Sequence, residues 1–140
     1  MQLTRQTEYA IRILIELAPL PEGKVIQSRI ISEKQDVPDK FLKKTVQVLV
    51  RAGLVESRRG MQGGVRLAVP ANSITIADLV NIVEGQVAIN PCLARGFYCK
   101  NSPDCQVRVI LQRAQQAMLA ELGKETIADL IMESVPGCVL

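Results

Sequence analysis

Apolar residues recur with the period of a helix near the start of the chain. Residues 4–18 place them at spacings of three and four, which predicts a helix with one buried face. The residues on that face are Ala10, Ile13, Leu14, Leu17 and Ala18. Thr4 is expected to cap this helix, and the prolines at positions 19 and 21 end it. A second, shorter helix is predicted over residues 25–34.

A third helix is predicted from the turn at residues 36–39 to about Ala52. Asp36 or Asp39 is expected to cap its start, and Gly53 is expected to cap its end. Its predicted buried face holds Phe41, Leu42, Val46, Leu49 and Val50. Its opposite face is polar and mostly basic, and it holds Lys40, Lys43, Lys44, Gln47 and Arg51.

Two short strands are predicted at residues 54–58 and 65–69, joined by a glycine-rich tip at residues 59–64. The order helix, helix, turn, helix and hairpin is that of a winged helix-turn-helix. We therefore expect a mainly α fold with a small β-hairpin wing. In such a fold the helix after the turn enters the major groove of DNA, and the wing lies along the backbone or in the minor groove.

The second half of the chain contains a long amphipathic helix. After a turn at residues 70–73, Ser73 or Thr75 is expected to cap a helix that ends at Gly85. The long helix is then predicted from about Cys105, with apolar positions at Val107, Leu111, Ala114, Met118 and Leu122. One domain of this size has little core left for it, so its expected partner is the same helix of a second subunit in a two-fold dimer. A last helix is predicted over residues 126–134.

These elements divide the chain into three expected parts. Residues 1–85 form a winged helix-turn-helix DNA-binding domain, and residues 86–106 form a cysteine-containing loop. Residues 107–140 form a dimerisation helix and a C-terminal tail.

Basic residues concentrate in one segment. Residues 24–66 contain ten Lys and Arg but four Asp and Glu, a net charge of +6, whereas the whole chain carries +3. A local basic block is typical of a nucleic-acid-binding surface, although charges also decorate ordinary solvated helices. Lysines there are expected to contact phosphates, Gln47 a base edge, and arginines the minor groove. The residues predicted to contact DNA are Arg29, Lys40, Lys43, Lys44, Gln47, Arg58, Arg59, Gly63, Gly64 and Arg66.

The composition excludes many enzyme mechanisms. The 140 residues are 48% hydrophobic and include no histidine, so no His-dependent triad, imidazole acid–base pair or His-containing zinc site can form. No phosphate-binding loop is present either, and we do not expect an enzyme. No apolar run is long enough to span a membrane, and the start lacks a signal-peptide pattern. These two observations predict a cytoplasmic protein.

Three cysteines, Cys92, Cys99 and Cys105, lie close together with the spacing Cys-x6-Cys-x5-Cys. An odd number of thiols on one loop favours metal or redox chemistry over a structural disulfide. The spacing is wider than the Cys-x2-Cys pairs of zinc ribbons, and thiolates also hold iron–sulfur clusters. A set of buried or reactive thiols is the alternative. Cys138 in the tail is expected to be inert, with a fourth ligand or a resolving thiol as alternatives.

Several motifs together resemble the Rrf2 family of bacterial winged-helix regulators. They are Leu-Thr-Arg-Gln-Thr-Glu-Tyr-Ala at 3–10, Ala-Gly-Leu-Val-Glu-Ser-Arg-Arg-Gly at 52–60, Gly-Gly at 63–64, Ile-Thr-Ile-Ala-Asp-Leu-Val at 74–80, Val-Glu-Gly at 83–85 and the three-cysteine loop. The resemblance implies a homodimeric repressor or activator that binds palindromic double-stranded DNA. It also implies that an iron–sulfur cluster controls the affinity for that operator.

The resemblance implies a ligand set as well. Cluster-biogenesis regulators of the family add a histidine two residues past the last cysteine to hold a 2Fe–2S centre, but here that place holds Val107 or Arg108. In nitric-oxide sensors of the family, a carboxylate on the first helix of the other subunit completes a 4Fe–4S site, and Glu8 matches that position. Other members combine such a glutamate with a histidine four residues on, where this chain has Arg12, which cannot ligate.

Cys92, Cys99 and Cys105 with Glu8 from the other subunit are therefore the expected ligands, of a 4Fe–4S cluster preferably and a 2Fe–2S cluster alternatively. A surface ion pair between Glu8 and Arg12 is the alternative for Glu8. The same fold could also sense through zinc or thiol oxidation. An iron–sulfur carrier is a further alternative, which the basic segment and the wing disfavour. Arg95 and Lys100 could offset the negative charge of a thiolate-bound cluster or could be simply solvated.

Overall fold

The computed structural model describes residues 2–132. In chain order its helices are α1 (Arg5–Leu17), α2 (Ser28–Gln35), α3 (Asp39–Arg51), α4 (Ile76–Glu84), α5 (Gln106–Leu122) and α6 (Ile127–Met132). Its strands are β1 (Val55–Arg58) and β2 (Gly64–Leu67), which pair antiparallel between α3 and α4. The predicted mainly α fold with a small β-hairpin wing is confirmed. The predicted end of the last helix and Cys138 lie outside the described residues.

α1 lies at the centre of the core. The side chains of Ala10, Ile13 and Leu14 are fully buried, because α2, α3, α4, α6 and β2 all pack against this helix. Thr4 caps it as predicted, and its hydroxyl accepts a hydrogen bond from the Thr7 backbone N–H at 3.4 Å. The core extends into the other elements through Ile31, Leu42, Leu49, Val55, Val65, Leu79 and Ile127.

α2 begins later than the predicted start at residue 25. Ile26 is extended and forms a bridge to Val65, with its N–H donating to Val65 O at 3.0 Å and its carbonyl accepting from Val65 N at 2.8 Å. A residue that pairs with the wing in this way cannot also be helical. The bridge attaches the start of α2 directly to the hairpin.

The predicted aspartate cap of α3 is wrong. Asp36 instead ends α2 in a left-handed conformation, with φ of 49°. Pro38 takes the N-cap position of α3 without any side-chain hydrogen bond, and Asp39 is already the first helical residue. Gly53 follows the helix with φ of 76°, so the predicted glycine at its end is confirmed.

The buried face of α3 is narrower than predicted. Leu42, Val46 and Leu49 are buried, but Phe41 and Val50 keep 52% and 39% of their surface exposed. Thr45 is buried in their place, because its hydroxyl donates to the carbonyl of the preceding turn of the same helix, Phe41 O, at 2.8 Å. One side of Phe41 still faces Tyr9 of α1, with 6.1 Å between ring centroids.

α5 has 17 residues, none of which is buried. The side chains that turn partly inward include Leu111, Met118 and Leu122, whereas Val107 and Ala114 of the predicted stripe are exposed. The exposed face of α5 instead carries the apolar residues Val107, Val109, Ile110, Ala114 and Ala117. Cys105 is the N-cap residue of α5.

α6 returns to the core after α5. Ile127 is fully buried, and its N–H donates to Ile74 O at 2.9 Å next to a bridge between Thr75 and Thr126. The α4 start is capped by Thr75 and Asp78, which bond to each other's backbone as a capping box, and Gly85 ends the helix. No helix in the range 2–132 is long and apolar enough to cross a membrane.

Substituting Gly64 with alanine should destabilise the wing. A Cβ atom at this position would lie 2.4 Å from Ile26 O, so the bridge to Val65 would have to open. We expect the free energy of unfolding to fall by about 1–3 kcal/mol in Gly64→Ala, measured by guanidinium denaturation. Gly123→Ala is the control, because its Cβ would meet nothing closer than 3.4 Å. Equal denaturation midpoints for the two variants would contradict this packing.

Candidate nucleic-acid interface and metal centre

The polar face of α3 is open to solvent. Lys40, Lys43, Lys44 and Gln47 are all exposed, as expected for a helix that enters a groove of DNA. Lys43 Nζ lies 2.7 Å from the Asp39 carboxylate one turn earlier, so part of its charge is offset within the helix. Lys40 and Lys44 form no ion pair within the described part of the chain. These two lysines are the better placed of the three to neutralise phosphates.

The predicted arginines can also be separated into those with and those without an ion pair in the described part of the chain. Arg58 and Arg59 are exposed at the end of β1 and have no ion pair among residues 2–132. Arg66 is held across the hairpin by Glu56, with Nη2 2.6 Å and Nε 2.8 Å from the carboxylate. Arg29 on α2 pairs with Glu33 at 2.9 Å. The wing therefore offers two uncommitted guanidinium groups close to its tip.

Gly63 and Gly64 are required by contacts inside the protein. A Cβ at Gly63 would lie 2.2 Å from Arg58 O, and one at Gly64 would lie 2.4 Å from Ile26 O. The sequence predicted DNA contact for both, and the close approach that the structure shows is to their own chain. Glycine at both positions permits this close approach of the backbone, because it has no Cβ.

Sequence reasoning missed Met61, the residue at the tip of the wing. Its side chain is 95% exposed, and its carbonyl accepts from Gln27 Nε2 at 3.4 Å. An open concavity of about 340 Å³ lies between this tip and the start of α2, and Arg58 and Ser28 line it. The signal in the sequence was a large apolar residue within an otherwise polar, glycine-rich turn.

The three cysteines lie on one stretch of chain between α4 and α5. Cys92 lies in a short 3-10 turn, Cys99 follows without regular structure, and Cys105 caps α5. All three are half-buried free thiols. Asn90 Nδ2 donates to Cys92 Sγ at 3.0 Å, and the Arg108 N–H donates to Cys105 Sγ at 3.4 Å.

The structure does not gather these thiols into a finished metal centre. Within residues 2–132, no three Cys, Asp or Glu side chains are close enough to hold a metal ion together. The chemistry of the donor set nevertheless fits an iron–sulfur cluster, because three soft sulfur ligands are free on one loop. For these three thiols to hold a metal together, the loop would have to rearrange or a second subunit would have to contribute.

Glu8 lies on the outer side of α1. Its side chain is 43% exposed and forms an ion pair with Arg12, one helical turn away. Arg12 is also fixed by its Nη1, which donates to Gln35 O at 3.0 Å. The ion pair that the sequence offered as an alternative is thus present. An exposed carboxylate can still exchange this partner for another one, so a role as ligand stays a prediction.

Glu84 links α1 to the start of the cysteine loop, and sequence reasoning did not select it. One carboxylate oxygen accepts from the Thr4 N–H and the Thr4 hydroxyl, each at 2.8 Å, and from the Thr7 hydroxyl. Burial alone raises the pKa of Glu84, but the hydrogen bonds from Thr7 and Thr4 outweigh it and hold this pKa below its ordinary value. Gly85, which ends α4 directly before the cysteine loop, is the next residue.

Comparison with known proteins agrees with this architecture. The Rrf2 family model, described as an iron-dependent transcriptional regulator, matches residues 3–133. The oxidized form of Staphylococcus aureus CymR is similar at 25% identity and a TM-score of 0.74, covering 95% of this chain and 98% of that one. CymR from B. subtilis, described as the global cysteine regulator, has 23% identity, a TM-score of 0.73 and coverages of 94% and 97%. IscR from T. potens has 21% identity, a TM-score of 0.74 and coverages of 100% and 93%.

Replacing Glu84 should change how stability depends on pH. Because the folded-state pKa is lowered, the ionised carboxylate stabilises the fold above the unfolded value of about 4.5. This contribution is lost as the pH falls through the folded pKa. We expect Glu84→Gln to be less stable than the native protein at pH 7, and the difference to shrink below about pH 4.5, as followed by thermal melts.

Glu22→Gln is the matched control, because Glu22 is exposed and has no hydrogen bond or ion pair to any residue in the range 2–132. Its melting temperature should follow the native curve at every pH. If the difference in melting temperature between Glu84→Gln and the native protein were the same at every pH, ionisation of Glu84 would not stabilise the fold.

Proposed function

Because the chain belongs to the Rrf2 family of DNA-binding transcriptional regulators, we propose that it is a homodimer whose affinity for a palindromic operator is set by an iron–sulfur cluster. Members of this family are not enzymes, which agrees with the expectation from the missing histidine. The observation that carries the proposal is the position of three free, half-buried thiols on the segment that joins the winged helix-turn-helix to α5.

Cys92, Cys99 and Cys105 would hold the cluster, with Glu8 of the partner subunit as the fourth ligand. We favour 4Fe–4S, with 2Fe–2S as the alternative. A bound cluster would supply what thiols alone lack, which is the gain or loss of an electron, or of the cluster itself, in response to oxygen, nitric oxide or iron supply. A carboxylate is a weak ligand beside thiolates, so Glu8 would be the first to leave.

In the proposed complex α3 lies in the major groove. Lys40 and Lys44 neutralise phosphates, and Gln47 is placed to read a base edge. Arg58 and Arg59 reach toward the minor groove from the wing. Arg29, Lys43 and Arg66 would have to give up or share their present carboxylate partners, so each should add less to the affinity.

α5 supports the homodimer. A helix of 17 residues without a buried side chain, and with Val107 and Ile110 exposed at 63% and 56%, gains stability by packing against a second copy. A two-fold dimer places two α3 helices side by side, which fits a palindromic operator. We keep the expected division into a DNA-binding domain (1–85), a cysteine loop (86–106) and a dimerisation segment (107–140).

The contacts of Glu84 suggest how the loop could influence DNA binding. A rearrangement of the loop would pull on Gly85 and hence on the carboxylate that holds Thr4 and Thr7. These threonines begin α1, and α3 packs directly on α1. A shift at the loop would then alter the separation of the two α3 helices in the dimer.

Thiol oxidation without a metal is the second candidate. It is favoured by the absence of a preformed metal-binding group in the part of the chain that the structure describes. The similarity to the oxidized form of S. aureus CymR is compatible with this alternative.

The DNA interface can be tested through the salt dependence of binding. We expect Lys44→Gln to reduce the slope of log K against log salt by about 0.9 per subunit, because one phosphate contact is lost. The measurement is fluorescence anisotropy with a random-sequence duplex at several salt concentrations. Lys124→Gln, which removes an exposed cation after α5 that is paired with Glu121, is the control. Equal slopes for both variants would exclude α3 from the interface.

The cluster can be tested by metal analysis of protein purified without oxygen. About four irons and four sulfides per subunit are expected for the native chain, and a lower or more labile content for Glu8→Ala. Arg12→Gln is the control, because it breaks the same ion pair but keeps the carboxylate. About two of each would favour the 2Fe–2S form. Zinc alone, or no metal after reconstitution, would reject the cluster and favour the thiol switch.

A further inference from the structure

Arg108 carries an unsatisfied donor beside the cysteine loop. Its Nε is buried and has no hydrogen-bond partner in the range 2–132. The same guanidinium donates from Nη1 to Ser102 Oγ at 2.6 Å, and the backbone N–H of Arg108 donates to Cys105 Sγ at 3.4 Å. A buried donor without a partner lowers the stability of a fold, so a retained one calls for an explanation.

The position of this side chain points to the cysteines. Arg108 is the third residue of α5, and side chains in a helix lean back toward its N-terminus. Its contact with Ser102 places the guanidinium along the stretch of loop between Cys99 and Cys105. Arginine is a donor only and stays charged, so it cannot ligate a metal but can bind an anion. No Asp or Glu within residues 2–132 forms an ion pair with it.

We propose that Arg108 offsets the negative charge of the metal–thiolate centre on the cysteine loop, with its Nε as the donor that this centre satisfies. The inference rests on the proposed iron–sulfur cluster. The sequence suggested Arg95 and Lys100 for this role, but both are exposed to solvent, whereas Arg108 is half-buried. Net charge and hydrogen bonds to sulfur both set the reduction potential of such centres. A nearby positive charge and a hydrogen bond to sulfur each stabilise the more negative, reduced state.

The experiment compares Arg108→Met, Arg108→Lys and the exposed-cation control Lys100→Gln, each with and without cluster. In a potentiometric titration one electron from the titrant enters the centre, and no bond is formed or broken. We expect Arg108→Met to shift the reduction equilibrium at least tenfold toward the oxidised state, a midpoint lower by 59 mV for one electron. Arg108→Lys should stay close to the native midpoint, because lysine keeps the positive charge. Lys100→Gln should also stay close to it, because solvent already screens the charge of the exposed Lys100.

The cluster-free proteins provide the second measurement. Arg108→Met removes both the unpaired donor and the hydrogen bond to Ser102 Oγ, whereas Ser102→Ala removes only that hydrogen bond. Without cluster, the melting temperature of Arg108→Met should therefore equal or exceed that of Ser102→Ala. A native midpoint in Arg108→Met, or a cluster-free melting temperature below that of Ser102→Ala, would overturn the inference and make Arg108 a structural residue. Failure of the native chain itself to bind a cluster would instead reject the proposed function, and it would be seen before any variant is compared.

Discussion

The burial of α1 is the constraint on which the rest of the structure depends. Ala10, Ile13 and Leu14 have no exposed surface, since α3, α4 and α6 all pack over them. Complete burial of each large apolar side chain contributes about 1.5–3 kcal/mol. A close-packed interior contains few voids, so it transmits a displacement. In the proposed mechanism, a change at one end of α1 would therefore reach α3, the helix proposed to face DNA.

Polar contacts at the start of α1 connect this core to the cysteine loop. Glu84 accepts three hydrogen bonds from Thr4 and Thr7, and only Gly85 separates it from the start of the loop. At its other end the loop enters α5 through Cys105, whose sulfur caps the helix. The loop is thus tied to the DNA-binding part on one side and to the exposed apolar helix on the other. In the proposed mechanism, Glu84 and Cys105 would transmit a rearrangement of the loop to α1 and α5.

Local pattern predicted most of the fold, and long-range contacts account for the parts that it missed. The apolar period placed α1, α3 and α5, because apolar residues at spacings of three and four are typical of a helix. It did not fully define their buried faces, since Phe41 and Val50 of α3 and Val107 and Ala114 of α5 are exposed. It placed the start of α2 too early, since nothing local reveals that Ile26 pairs with Val65. The candidate site was also predicted only as far as local sequence pattern allows. Residue type identified the basic face and the thiols, whereas the pairing of Arg66 with Glu56 and the contacts of Glu84 and Arg108 depend on tertiary structure.

The central claim is that the state of the cysteine loop controls affinity for DNA. It is tested most directly by selecting duplexes from a random pool with cluster-loaded and cluster-free protein, and then measuring both affinities for the selected sequence at one salt concentration. The account predicts at least a tenfold difference in Kd, about 1.4 kcal/mol, which disappears in Cys92→Ala. Equal affinities for a protein that demonstrably carries its cluster would contradict the account.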